Sequence, residues 1–217
     1  MIYKIQNKSK LNFFNPVYEY YIYENILDTN LDYLKHLILQ KEKEILKKYP
    51  AWNDGHTGLG NDSLTSRYYY YNLLQYKELN FLKGLIRLEH DNFLSSISNR
   101  LIKENIYIQC WANVMRKGDQ IKKHSHSKQN YGYLSGHISI DTMNTNTYYG
   151  NPYGREDFIS GNVNGKMTLF PSWLPHYTDE VKTDLRITIA FDIITEEAWN
   201  DYNYTGNDKS HYELLYK

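Results

Sequence analysis

The feature that most constrains this chain is the texture of its second half. After Glu104, "IYIQCWANVM", "LSGHISID", "KMTLFPSW" and "LRITIAFDII" are short runs rich in β-branched and aromatic residues, separated by Gly, Asn, Asp and Pro clusters. They alternate with period two and no helical pattern comes between them. That speaks against parallel βαβ units and for antiparallel sheet, curled or doubled on itself. The first half reads differently. Residues 29–49 place Leu31, Leu34, Leu37, Ile38, Ile45 and Leu46 at mostly three- and four-residue spacing, behind an Asp-Thr-Asn start suited to capping and ahead of Pro50. This predicts one amphipathic helix. A second is predicted from about Tyr76 to Ile102, with Leu79, Leu82, Ile86, Phe93, Leu94, Ile97 and Leu101 as its apolar stripe. Between them "AWNDGHTGLGNDSLTS", residues 51–66, reads as a long loop. The expected fold class is α+β: a C-terminal barrel-like β-sandwich with N-terminal helices packed on one sheet.

A chain of 217 residues suits one domain. Its expected division is helical support and lid loop over 1–103, core barrel over 104–195 and a C-terminal extension over 196–217. Twenty-five basic and twenty-five acidic residues cancel, so a nucleic-acid partner is not favoured. Cys110 is the only cysteine; it excludes an internal disulfide and cysteine-rich zinc modules, and it reads as a core residue. No window approaches the ~18 apolar residues of a membrane span, and the first twenty residues lack a signal-peptide core, so a soluble, cytoplasmic protein is expected.

The chemistry gathers in "KKHSHSKQNYGYLSGHISI". His124 and His126 stand two apart; on an extended segment both leave the same face with Cα atoms about 6.5–7 Å apart, close enough to converge on one ion. Taken alone, a His-x-His on a surface strand is usually no more than polar. Fifty residues on, His176 in "LFPSWLPHYTDEV" follows a strand and two prolines and can point into the mouth of the same barrel. Arg186 and Thr188 share one face of the otherwise apolar "LRITIAF". A guanidinium facing a barrel interior is costly unless an anion meets it, and with a neighbouring hydroxyl it suits a carboxylate. His137 reads as a satisfied strand histidine, and Arg67 to Tyr71 ("RYYYY") as half-buried packing.

The order H-x-H, "LSG", "FPSWLPH", R-x-T resembles the double-stranded β-helix oxygenases that use Fe(II) and 2-oxoglutarate, in particular a subgroup common in bacteriophage and marine bacterial genomes. "DGHTGLGNDSLTSR" and "WANVMRKGD" extend the likeness over roughly residues 51–194. The resemblance implies a jelly-roll barrel in which His124 and His176 are metal ligands. It also implies that Arg186, with Thr188 beside it, binds the far carboxylate of 2-oxoglutarate, and that Asn113 and Tyr131 line the pocket. Implied cofactors are Fe(II) and the cosubstrate 2-oxoglutarate, with dioxygen as the other partner, succinate and carbon dioxide as products, and hydroxylation of a protein side chain, amino acid or other small substrate. For a phage-encoded protein the location would be the host cytoplasm. The departure is His126, which stands where the family has a carboxylate ligand. Three histidines are the preferred reading; the alternative is that His126 turns away and water or a carboxylate such as Asp179 or Asp141 fills the place. Two rivals stand beside the oxygenase: a cupin-like metal enzyme without 2-oxoglutarate, and a non-catalytic binding module on the same scaffold.

Overall fold

The computed structural model describes residues 1–6, 18–54, 56–98, 104–126, 132–142, 145–151, 156–201 and 209–216. Strands β1 (Ile2–Gln6) and β2 (Glu19–Ile26) precede helix α1 (Leu31–Lys48). A 3-10 stretch, Thr65–Tyr70, and a single turn, Leu73–Gln75, lead to helix α2 (Phe81–Ile97). Strands β3 (Ile106–Arg116), β4 (Leu134–Asp141), β5 (Asn146–Tyr149), β6 (Phe158–Gly161), β7 (Lys166–Pro171), β8 (His176–Thr178) and β9 (Leu185–Thr195) follow. A short helix α3 (Glu196–Asn200) and strand β10 (Glu213–Tyr216) close the chain's described part. The larger sheet runs β1-β2-β7-β4-β9-β3-β10 and the smaller β6-β5-β8, all pairings antiparallel.

The four runs read from the sequence are β3, β4, β7 and β9, the contiguous centre of the larger sheet. Their period two has a physical meaning visible on β9. Ile187, Ile189, Phe191 and Ile193 enter the main apolar core with Leu34, Leu37 and Ile38 of α1 and Leu82, Ile86 and Phe93 of α2. Arg186, Thr188 and Asp192 leave the other face, toward the smaller sheet and a cavity. Gly136 on β4 shows how tight the helix side is, since a Cβ there would come within 2.4 Å of the Phe191 ring.

Helix α1 starts where expected, with the Asn30 side chain accepting from the Tyr33 amide at 2.9 Å. Helix α2 is shorter than its apolar stripe suggests; residues 99–103 lie outside the described residues. Two strands at the N-terminus and one at the C-terminus are not foreseen. β2 pairs with β7 and β10 with β3, so both flanks of the chain widen the same sheet. Among the described residues no helix is long and apolar enough to cross a membrane.

Candidate functional site

His124 and His176 are brought together by backbone pairing. Each donates its amide to the other's carbonyl, at 3.1 and 2.8 Å, an isolated antiparallel bridge that puts both side chains on one face. The His126 amide donates to the Ser172 carbonyl at 3.0 Å, which keeps the third histidine against the same stretch. The rings of His124 and His176 lie 4.4 Å apart and those of His126 and His176 4.9 Å apart.

The other ring nitrogens fix what these three can do. Nδ1 of His124 is 2.8 Å from the Lys122 carbonyl, Nδ1 of His176 is 3.1 Å from the Leu174 carbonyl, and Nδ1 of His126 is 2.5 Å from Asp192 Oδ1. Carbonyls and carboxylates only accept, so each Nδ1 is the protonated nitrogen and each Nε2 is left with its lone pair. Those lone pairs converge: the ligating atoms of the three rings lie within 4.8 Å of one another, and Nε2 of His124 and His126 are 3.1 Å apart. Two acceptors at that distance repel unless a cation lies between them. Burial, with the His126 ring beside it, lowers His124 to about 4, and burial with both neighbours holds His176 well below the imidazole range, so these two rings are neutral. Nitrogen donors about 2.0–2.1 Å from a common ion at right angles would themselves be about 3 Å apart, so the His124–His126 separation suits a shared divalent metal, with His176 within reach of the same site.

The three histidines open onto a cavity of about 400 Å³. At its other end lies Arg186, 2% exposed, which donates to Thr145 Oγ1 at 3.3 Å and contacts Met115 Sδ at 3.1 Å, with no carboxylate in hydrogen-bonding reach among the described residues. Desolvation lowers its guanidinium to about 10, which Asp179 and Tyr149 only partly oppose. Beside it, Thr65 Oγ1 donates to Asn113 Oδ1 at 2.6 Å and Asn113 Nδ2 to Thr188 Oγ1 at 3.4 Å, so the Thr188 hydroxyl is an acceptor there and keeps its own proton for the cavity. His137 lines the cavity too. Its Nε2 meets the Tyr149 hydroxyl at 2.8 Å, while its buried Nδ1 has no partner among the described residues, unlike the satisfied strand histidine expected from the sequence. Burial and Arg186 lower it to about 3, leaving it neutral.

Asn53, His56, Thr57 and Thr65, all from the stretch read as a long loop, form one wall. This wall is tied to the histidine end: the Lys122 amide donates to the Thr57 carbonyl at 2.6 Å, and the Lys122 carbonyl accepts from His124. His56 holds a positive φ of 63° in that wall, beside Gly58 at 80°, where the chain folds over the Lys122 side chain. Trp111 and Tyr68 close the apolar side, with the Trp111 ring 5.6 Å from that of His126 and 5.9 Å from that of Tyr68.

The structure thus brings His124, His126, His176, Arg186, Thr188 and Asn113 around one cavity. Tyr131 lies outside the described residues. The carboxylates weighed as substitutes at the ion are elsewhere: Asp141 pairs with Lys35 at 2.5 Å, and Asp179 accepts from Asn146 and Tyr148. The acid that does approach is Asp192, which the sequence reading misses although it stands at even spacing from Arg186 on the strand already singled out. Thr65 is missed as well, and nothing local marks it.

No family model matches the chain, and no curated protein does. Solved structures do. A prolyl hydroxylase from Trichoplax adhaerens, in complex with a hypoxia inducible factor oxygen degradation domain peptide, superposes with TM-score 0.56 at 13% identity over 83% of this chain and 86% of its own. The viral collagen prolyl hydroxylase of Paramecium Bursaria Chlorella virus-1, as its 2-oxoglutarate complex, gives 0.50 at 12% over 80% and 95%. The non-heme α-ketoglutarate-dependent epimerase SnoN of nogalamycin biosynthesis gives 0.53 at 11% over 91% and 93%. At these identities the likeness is one of fold, and the chain has the double-stranded β-helix fold of the 2-oxoglutarate/Fe(II) oxygenases.

Proposed function

We propose that this protein is an Fe(II)- and 2-oxoglutarate-dependent oxygenase whose metal is held by His124, His126 and His176. One observation carries the reading: three imidazoles with their Nε2 atoms turned together share a cavity with a buried arginine that has no anion within hydrogen-bonding reach among the described residues. When bound, the iron would supply the activation of dioxygen, with the keto acid as two-electron reductant. The chain's own residues position and exclude. Arg186 and the Thr188 hydroxyl hold the distal carboxylate of the acid, Asn113 aims that hydroxyl, and Trp111 and Tyr68 keep water from the metal side. His124 and His176 are held neutral with Nδ1 engaged, so at these two rings metal entry at neutral pH displaces no proton.

The substrate oxidised is a protein side chain, an amino acid or another small molecule; peptide-linked substrates draw support from the peptide complex among the structures of like fold. A cupin-like metal enzyme without 2-oxoglutarate accounts for three histidines equally well, but it leaves the Arg186 charge buried without a purpose. Titrating 2-oxoglutarate into the Mn(II)-loaded protein separates the two. The oxygenase binds the acid at micromolar to low millimolar concentration, loses that binding when the metal is chelated, and releases succinate slowly with Fe(II) and air even without its prime substrate. A metal-loaded protein that shows no binding at several millimolar acid is not this enzyme.

A further inference from the structure

We infer that Asp192 is the positioning residue of the metal centre, and that through the His126 ring it supplies the negative charge a carboxylate at position 126 would bring directly to the ion. The inference rests on the metal-centre reading above. Of the three rings, two donate Nδ1–H to neutral backbone carbonyls and only His126 donates to a carboxylate, at 2.5 Å. Asp192 is held for this task. Ser135 Oγ donates to the same oxygen at 2.6 Å from the neighbouring strand β4, where Ser135 and Asp192 are register partners. Both side chains of the pair are largely buried, 11% exposed for His126 and 18% for Asp192, so solvent screens the interaction only in part.

A carboxylate accepting the far N–H of a ligating imidazole fixes its tautomer and makes its other nitrogen a better donor to a cation. The arrangement therefore displaces the carboxylate outward by one ring and keeps the charge balance of the site. The consequence has two signs. Removing the charge weakens cation binding, and it leaves the bound cation less compensated, so an anionic keto acid is held more tightly. Loss of a merely structural contact weakens both.

Asp192→Asn keeps size and an acceptor oxygen while removing the charge. In the full chain, Mn(II) affinity measured by calorimetry is expected to fall about 10–100-fold, with a shift of the Co(II) visible absorption bands. With Mn(II) saturating, 2-oxoglutarate affinity is expected to rise a few-fold. Asp192→Glu, which retains the charge, should lie nearer the parent on both measures. In a His126→Ala background the same Asp192→Asn change should leave Mn(II) affinity within about twofold, because the ring that relays it is gone. Mn(II) affinity unchanged by Asp192→Asn, a parallel fall in metal and keto-acid affinity, or an undiminished effect without His126 would each overturn the inference. Should Asp192→Asn fail to fold, Ser135→Ala is read instead: a loss of about threefold or more in Mn(II) affinity supports the role and no loss refutes it. A parent that binds Mn(II) but not 2-oxoglutarate sinks the oxygenase reading alone, since the metal measurements still decide the role of Asp192.

Discussion

Arg186→Met is expected to remove 2-oxoglutarate binding and, at the same time, to raise the melting temperature of the ligand-free protein. The two effects have one origin. Arg186 is 2% exposed and, among the described residues, hydrogen-bonds only a threonine hydroxyl and a thioether; Asp179 and Tyr149 offset the cost of its charge in part, and an incoming anion would relieve the rest. The sign follows from its lowered value of about 10: a base held below its unfolded value destabilises the folded state at every pH where it is protonated, and neutral pH lies well inside that range. Replacing such a residue by an apolar side chain of similar length is worth about 1–4 kcal/mol to the fold, and about 2–4 °C per kcal/mol in a chain of this length. Losing the partner of the bound carboxylate costs about 3–5 kcal/mol, or two to four orders of magnitude in affinity. Calorimetric titration and thermal scanning of the same preparation measure both. Binding retained in Arg186→Met, or a drop in melting temperature together with lost binding, argues that the residue is structural.

His176→Ala is the second large effect. Altering a group that only supports a metal ligand costs about 10–100-fold in affinity, so removing the ligand itself should exceed about 100-fold. Millimolar Mn(II) should then raise the melting temperature of the parent by several degrees, since a ligand at about 100 times its Kd contributes about 2.7 kcal/mol, and should leave His176→Ala unmoved. His124→Ala should behave alike, because the two are backbone partners across one bridge. Parent-like stabilisation by Mn(II) in either variant places the ion elsewhere.

The parts of this fold that could be read in advance are those where one physical rule dominates. β3, β4, β7 and β9 are flanked by strands on both sides and packed under helices, so their alternation is nearly clean. β2 was hidden because "EYYIYENI" buries tyrosines on both faces: Tyr20 and Ile22 between the sheets, Tyr23 under the helices. β10 is four residues long and gains its conformation from β3 rather than from its own pattern. That the histidines and Arg186 share one cavity was legible because His-x-His spacing puts two rings on one face of an extended segment, and because a lone cation in an apolar strand draws notice. Asp192 satisfies neither rule. It is a second-neighbour group whose purpose depends on how His126 turns, and only the folded contact at 2.5 Å exposes it.

The construction of β9 has a bearing on which acids this scaffold can accept. Arg186, Thr188 and Asp192 stand on one strand whose reverse face is locked into the core by Ile187, Ile189, Phe191 and Ile193. Same-face positions on a strand are about 6.5–7 Å apart, so sliding β9 against its neighbours changes the span between arginine and histidines only in steps of that size. A slip of one residue turns the guanidinium into the hydrophobic layer. Dicarboxylic keto acids differ by a methylene, a small fraction of such a step. On the proposed function, strand β9 would act as a fixed gauge, and selection of acid length would rest on the reach of the side chain at position 186.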